Sequence, residues 1–559
     1  MTPAPSQAPG RPSRRRVPLP LLGCLLVAVW LAGVRLGDEH YVSLQGDMPR
    51  HLMNGVFFLD LLRDLPSPSE AFEYARYYYA RYPALSLGHH PFLIALAEVP
   101  AFALFGVSVT SGRLVSLGFF LLGLVYMYKL AAELFDDEWA GAAAALTMAT
   151  SAILVELAQS VMTELPALSL ITGAAYHCHR FAEDKRSRSI VAATLLAAAA
   201  VWAKQIAAIA VPALAIHVWW RVGWRRLLRA DVLGSAAAAA LIAAPLVPIT
   251  LYLSPFNMAL ASGLAQSVGE SGRMRLALWA VDTAAAAHFS PLVLGAATVG
   301  IVAMLARRHA ATGLVLVWIL TTAAFLALVA FSLDPARLSI YWIPAWALGV
   351  GALASPLLGR GRVVAGLAAA GAVAVQAVGA SQVRLPGLDG YEAAAAHVVA
   401  EPRGSTVLFA GDVDTGFFTF FVRKHDPARR TVVLRADKVL TTSFMGSVAA
   451  EDRVSSPAEV RDTLVRFGVG YVVIEDRPSE STVHNWLRDE LRTPGYVERM
   501  RLPVHSSDRR LRDGTALVVY EVRDARPARP DARLDIRLPL VSQQIDIPVS
   551  DLIARKYLR

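Results

Sequence analysis

The sequence is poor in cysteine and in charge. Two cysteines occur among 559 residues, Cys24 and Cys178, both within or beside apolar runs. They give no disulfide framework and no zinc-ligand spacing. Charged residues make up 18% of the chain against 55% hydrophobic, and mean hydropathy is +0.44. That composition is too apolar for a soluble protein of this size and implies a polytopic membrane protein. No fixed-period repeat is present. "LFAGDVDTG" follows a strand-like run but lacks a phosphate-loop or dinucleotide fingerprint. The formal charge is +9, yet no basic-aromatic array of a nucleic-acid-binding face occurs. Lys and Arg are therefore read as topology signals.

Apolar runs of about 20 residues mark spanning helices. Eleven candidates result: 17–36, 110–133, 140–157, 164–181, 189–203, 205–221, 232–253, 288–306, 312–332, 339–357 and 362–381. Lys204 divides the two shortest. The first follows "RPSRRR" as a signal peptide does, but it is long enough to span and lacks a small-x-small cleavage site, so it is read as a retained helix. "RPSRRR", "RFAEDKRSR", "RVGWRRLLR", "ARRH" and "GRGR" then share the cytoplasmic side. Residues 1–16 form a cytoplasmic tail, 17–381 a transmembrane domain, and everything after about 382 lies outside.

Residues 37–109 form a long outer loop. It contains a helical pattern at "HLMNGVFFLDLLRDL", an aromatic stretch "YARYYYARY", and "PFLIALAEVPAFALFG". The last is too short and too broken by Pro100 to span, and reads as an interfacial helix. From 389 to 559, β-branched runs ("STVLFAG", "RTVVLRA", "VGYVVIED", "TALVVYEV") alternate with helical patterns such as "PAEVRDTLVRFG". This predicts an extracytoplasmic α/β domain.

Polar groups collect on the outer side of this topology. "SLQGDMPRHL" brings Asp47, Arg50 and His51 just after the first span. His89 and His90 precede Pro91, Glu164 opens "ELPALSL", Lys204 stands among apolar residues, and Arg337 and Tyr341 lie in "DPARLSIYWIPAW". Singly, each has a plain explanation. Asp47 is a loop acid, Glu164 favours a helix start, Lys204 snorkels, and Tyr341 joins an interface belt. Together, two carboxylates and several cations at one membrane face suit a reaction on a lipid-linked anionic substrate. A carboxylate can take a proton from a hydroxyl nucleophile, and Lys and Arg can neutralise a phosphate leaving group.

These motifs resemble the membrane-embedded C-type glycosyltransferase superfamily, most closely its protein O-mannosyltransferase and lipid A aminoarabinose transferase group. The matches are Asp47 after the first span, "HPFL" followed by "LFGVSVTSGRLVSLG", "TELPAL", and the late Arg337 with Tyr341. They cover residues 17–360. Asp47 is followed by Met48 where an Asp-Glu pair is common, and Asp38-Glu39 is a rival for that place. The resemblance implies an inverting enzyme that moves a sugar from a polyprenyl-phosphate donor to a hydroxyl acceptor (protein, lipid or glycan) on the outer face of the cell membrane. Asp47 would be the general base. Lys204, Arg337, Tyr341 and one of His89 or His90 would hold the phosphate, and Glu164 would orient the acceptor, Lys204 or a metal. The superfamily includes metal-using members, so a divalent ion with Glu164 or His90 as ligand belongs to the implied set. The alternative is a flippase for lipid-linked sugars, without chemistry.

Overall fold

The computed structural model describes residues 18–40, 42, 46–87, 90–253, 270–329, 335–404, 406–411, 415–444, 449–477, 479, 481–504, 515–538 and 543–558. A helical body comes first. Its leading helices are α1 (Leu19–Gly33), α2 (Met48–Asp64), α3 (Ala71–Arg81), α4 (Leu93–Phe105), α5 (Val109–Phe135), α6 (Glu138–Ala149), α7 (Ala152–Gln159), α8 (Glu164–Asp184), α9 (Ser187–Ala203) and α10 (Val211–Val222). Local chemistry sets their ends. Ser108 caps α5 by accepting from the Ser111 amide, and Asp137 caps α6 by accepting from the amides of Trp139 and Ala140. Between α9 and α10 the backbone turns extended at Lys204, then tightens into a 3-10 helix over Gln205–Ala210.

Among the described residues, four helices are long and apolar enough to cross a membrane, within Val109–Phe135, Gln205–Val222, Ala230–Leu251 and Pro356–Ser381. The number reaches six if each of two bent pairs is one span: α6 with α7, bent by 64°, and Val281–His288 with Pro291–Ala306, bent by 104°. Shorter apolar helices occur at Leu19–Gly33, Ser187–Ala203, Thr312–Ala327 and Ile340–Ala354. In their described residues all eleven expected runs fall on helices, with 17 and 330–332 outside the described residues, but four to six helices meet the length and composition for crossing. Outward faces carry exposed Leu26, Leu195, Leu241, Val299, Leu320 and Leu367. Apolar surface of that extent fits a body embedded in lipid.

Two close approaches fix the packing. Gly300 and Gly349 let the helices Pro291–Ala306 and Ile343–Ala354 touch backbone to backbone. Gly55 in α2 leaves room for Glu98 of α4, where a Cβ would strike the carboxylate and the Phe102 ring. Glu98 is fully buried, and among the described residues neither carboxyl oxygen has a partner. Burial pushes its carboxyl well above the ordinary value, which keeps it neutral.

The C-terminal part is α/β. Strands β1 (Thr406–Ala410), β2 (Val432–Arg435), β3 (Thr441–Phe444), β4 (Ala449–Asp452), β5 (Val469–Asp476), β6 (Tyr496–Pro503), β7 (Ala516–Val522), β8 (Arg533–Leu538) and β9 (Gln543–Pro548) follow in order. The main sheet runs β2-β1-β5-β7-β6, while β3–β4 and β8–β9 are hairpins. β1 is parallel to β2 and β5, and β7 is antiparallel to β5 and β6. The apolar runs of β1 and β5 are buried along almost their whole length, as central strands covered on both faces require. "PAEVRDTLVRFG" forms the helix Pro457–Arg466, capped by Ser456.

Candidate active site

Four chain segments far apart in sequence converge on one half-buried polar cluster, with Glu164 at its buried centre. Asp47 is the N-cap position of α2, entered through Gly46 with φ +76°. Such a positive φ suits glycine. Glu164 is the first residue of α8 and is fully buried. Lys204 lies at the extended break after α9. Arg337 stands in the short helix Pro335–Leu338.

Glu164 is the hub. Its Oε1 accepts from Lys204 Nζ at 2.5 Å, from Arg337 Nε at 2.8 Å and from Arg337 Nη2 at 2.5 Å. Arg337 Nη2 also donates to Asp47 Oδ2 at 3.2 Å. Asp47 Oδ1 faces Arg50 Nη1 and His90 Nε2, each at 3.7 Å. A carboxylate serving only the start of α8 would turn toward amides. Glu164 turns instead to two cations, one of them supplied by a residue 173 positions away.

Electrostatics follow from the geometry. Burial alone would raise the Asp47 carboxyl. His90, with Arg337 beside it, holds it far below the usual carboxylate range. His51, one helical turn further along α2, is fully buried with its ring 4.8 Å from that of His90. Burial and the neighbouring His90 push its pKa down to about 3, so the ring is neutral near neutral pH. Among the described residues neither His51 nitrogen has a partner.

Of the other expected residues, His90 is on the Asp47 side of the cluster, and His89 lies outside the described residues. Tyr341 is fully buried in the turn Ile340–Trp342, within electrostatic reach of Glu164. Its hydroxyl has no partner among the described residues. The rival pair does other work. Glu39 accepts from Lys424 Nζ at 2.6 Å and from Thr110, while Asp38 faces His40. Among the described residues no three His, Cys, Asp or Glu side chains converge as a metal site. Glu164 is already engaged by Lys204 and Arg337, so the residues present do not compose a metal cage.

His51 stands beside Asp47 and Arg50 in the sequence without an assigned role; α2, which begins at Met48, places it at i+4 from Asp47. His288 escapes a reading of the sequence. His288 holds the backbone next to Arg337. Trp342 Nε1 donates to His288 Nδ1 at 2.6 Å, so Nε2 bears the proton, which it donates to the Ala336 carbonyl at 2.8 Å. A histidine at the start of the apolar run 288–306 is the one sequence signal for it. A cleft of about 440 Å³ opens elsewhere, among Thr442, Asp452, Arg466 and Asp535 of the α/β part, and shares no residue with the cluster. Its Arg453 and Arg533 already pair with Asp535 and Asp546.

Residues 89–251 match the family described as dolichyl-phosphate-mannose-protein mannosyltransferase. That stretch includes His90, Glu164 and Lys204. The fold is similar to that of ArnT from Cupriavidus metallidurans in a crystal structure bound to undecaprenyl phosphate. The TM-score is 0.56 at 14% identity, covering 92% of this chain and 99% of that one. The apo state of ArnT aligns with a TM-score of 0.52 at 15% identity, covering 92% and 98%. A cryo-EM structure of the arabinofuranosyltransferase AftD from Mycobacteria gives 0.51 at 15% identity, covering 90% of this chain and 41% of that one. The chain thus spans less than half the length of AftD. No curated protein sequence matches. Family and fold agree with the resemblance to the C-type glycosyltransferases and their protein O-mannosyltransferase and aminoarabinose transferase group.

Proposed function

We propose that the protein transfers a sugar from a polyprenyl-phosphate donor to a hydroxyl acceptor at the outer face of the cell membrane, with inversion at the anomeric carbon. The observation that carries this reading is the single cluster of Asp47, Glu164, Lys204 and Arg337. The match to a dolichyl-phosphate-mannose family and the fold shared with ArnT support the donor class. The N-terminus is assigned to the cytoplasm and the α/β part, 389–559, to the outside, from the Lys and Arg of the short loops.

In this mechanism the acceptor oxygen bonds to the anomeric carbon while the bond from that carbon to the phosphate oxygen breaks. The acceptor proton goes to Asp47, and the leaving polyprenyl phosphate gains a negative charge. Lys204 and Arg337 stabilise it, Arg337 through its planar fork. Glu164 holds those two cations in place, and His90 orients Asp47. A carboxylate held far below its usual range is a weak base. Donor binding relieves this, because the phosphate competes for Arg337 and leaves Asp47 with one cation fewer. Base strength is then raised only when a donor is present.

The test uses purified protein in proteoliposomes with a panel of radiolabelled undecaprenyl-phosphate sugars. Label appearing in a new glycosidic linkage, with undecaprenyl phosphate released, supports the reading. Label that crosses the bilayer still attached to its lipid assigns the protein to the flippases instead. Reporter fusions at Arg16 and Gly390 test the topology, and a cytoplasmic signal at Gly390 removes the one-sided site.

A further inference from the structure

Asp47 stands at one end of α2, and the α/β part grips the other end. Asp60 is buried and accepts from Arg423 Nε at 3.0 Å, from Arg423 Nη2 at 2.7 Å and from Tyr78 Oη at 2.7 Å. One turn on, Asp64 accepts from Arg429 Nη2 and from Tyr74 Oη, each at 2.8 Å. Both arginines come from the α/β part, more than 360 positions along the chain. The two tyrosines belong to α3. That helix is tied to the same part, since Arg81 Nη1 donates to the Arg429 carbonyl at 2.8 Å. Arg429 has φ +54°, a left-handed backbone that arginine ordinarily avoids. Such strain persists only where surrounding contacts enforce it.

Adhesion alone does not call for this arrangement. An apolar contact would join the two parts and tolerate sliding. Buried charges are tolerated only when paired and fully hydrogen-bonded, so these pairs admit one register of α2. The middle of α2 is also fixed, where Gly55 lies against Glu98 and Phe102 of α4. A helix held at its middle and steered at one end moves at the other.

We propose that Arg423 and Arg429 are positioning residues for the transfer. They hold α2 so that Asp47 meets Arg337 and the acceptor, which makes the α/β part a brace for the active site. This rests on the reading of Asp47 as the base. From Gly55 to Asp47 the helix rises about 12 Å at about 1.5 Å per residue. A tilt of about 5° over that length moves Asp47 by about 1 Å, and a misplacement of that size can lower a rate about 10²-fold.

The test is Arg423→Lys in the full-length protein. Lysine keeps the charge and loses the fork. Undecaprenyl phosphate affinity and stoichiometry are expected within about twofold of wild type, with transfer about 10- to 100-fold slower. On an Asp47→Asn background the same change should cost nothing further, because it acts through Asp47. A merely structural residue would lower the binding-competent fraction and slow both backgrounds alike. Wild-type transfer by Arg423→Lys, or the same loss repeated on the Asp47→Asn background, overturns the proposal. If Arg423→Lys does not elute as monodisperse protein, Tyr78→Phe carries the same test by removing one hydrogen bond to Asp60. Should the wild-type protein transfer no sugar from any donor, the reading of Asp47 fails. The brace is then decided by hydrogen exchange. Faster exchange of the α2 amides from 51 to 56 in Arg423→Lys supports it, and unchanged exchange refutes it.

Discussion

Replacing Arg337 separates two jobs that one guanidinium performs. Its Nε and Nη2 hold Glu164 at 2.8 and 2.5 Å, and Nη2 holds Asp47 at 3.2 Å. Arg337→Ala leaves buried Glu164 with Lys204 and removes the fork that would meet a phosphate. A hydrogen bond to a charged group contributes about 1.5–3 kcal/mol. If it acts in the transition state, its loss lowers donor kcat/KM about 10- to 10²-fold. Arg337→Lys should recover part of this, since one ammonium can serve Glu164 or Asp47 but not both in planar geometry. The assay is initial rate against donor concentration for wild type, Arg337→Ala and Arg337→Lys. Unchanged donor kcat/KM in Arg337→Ala would refute the reasoning and leave Arg337 as an anchor of the fold.

Asp47→Asn should keep undecaprenyl phosphate affinity and lose transfer by about 10²–10⁴-fold, the usual range for a lost general base; near wild-type transfer would place the base elsewhere. Gly55→Ala should destabilise by about 1–3 kcal/mol, because the new methyl meets Glu98 and Phe102, and a melting curve identical to wild type would contradict the close approach. Burial would raise the Glu39 carboxyl, but Lys424 and Thr110 hold it below its ordinary 4.5. Its contribution to stability is therefore present above that value and is lost as pH falls through the lower folded-state value. Glu39→Gln should accordingly lower Tm near neutral pH and show a shallower acid fall, and parallel Tm curves for the two proteins would count against the pairing.

Much of the helical body was legible because apolar runs declare themselves by composition, whatever packs against them. The run 140–157 shows where that reading ends. It contains a 64° bend between α6 and α7 around Thr150 and Ser151, which hydropathy averages away. The strands were legible for a related reason, since buried central strands are continuous β-branched runs. Lys204 could be named because an ionisable group among apolar residues stands out, and Asp47, Glu164 and Arg337 because they share its outer side and match the motifs of the resemblance. Their pairing could not, since nothing local to Glu164 indicates Arg337. The burial of His51 was not legible: beside Arg50 in a polar stretch it looks solvated, yet the helix buries it. Arg423 and Asp60 lie 363 positions apart, and both read as ordinary surface charges until α2 and the α/β part are seen together.

The charge count explains why such a cluster can serve the proposed reaction while largely withdrawn from water. Asp47 and Glu164 oppose Lys204 and Arg337, so the set is balanced, and Arg50 beside Asp47 adds one positive charge at its open edge. A polyprenyl phosphodiester carries one negative charge and neutralises that surplus on binding. During transfer the leaving phosphate gains a second negative charge. At the same moment Asp47 takes the acceptor's proton and loses its own negative charge. The net charge of the site is then the same before and after, and no uncompensated charge develops where the dielectric is low. In Asp47→Asn the proton has no place to go within the cluster. The developing phosphate charge is left unbalanced as well as the nucleophile unassisted. The loss in that variant should therefore appear in cleavage of the donor bond itself. Donor hydrolysis by water in the absence of acceptor should fall alongside transfer, and hydrolysis at the wild-type rate would break the link between proton and phosphate.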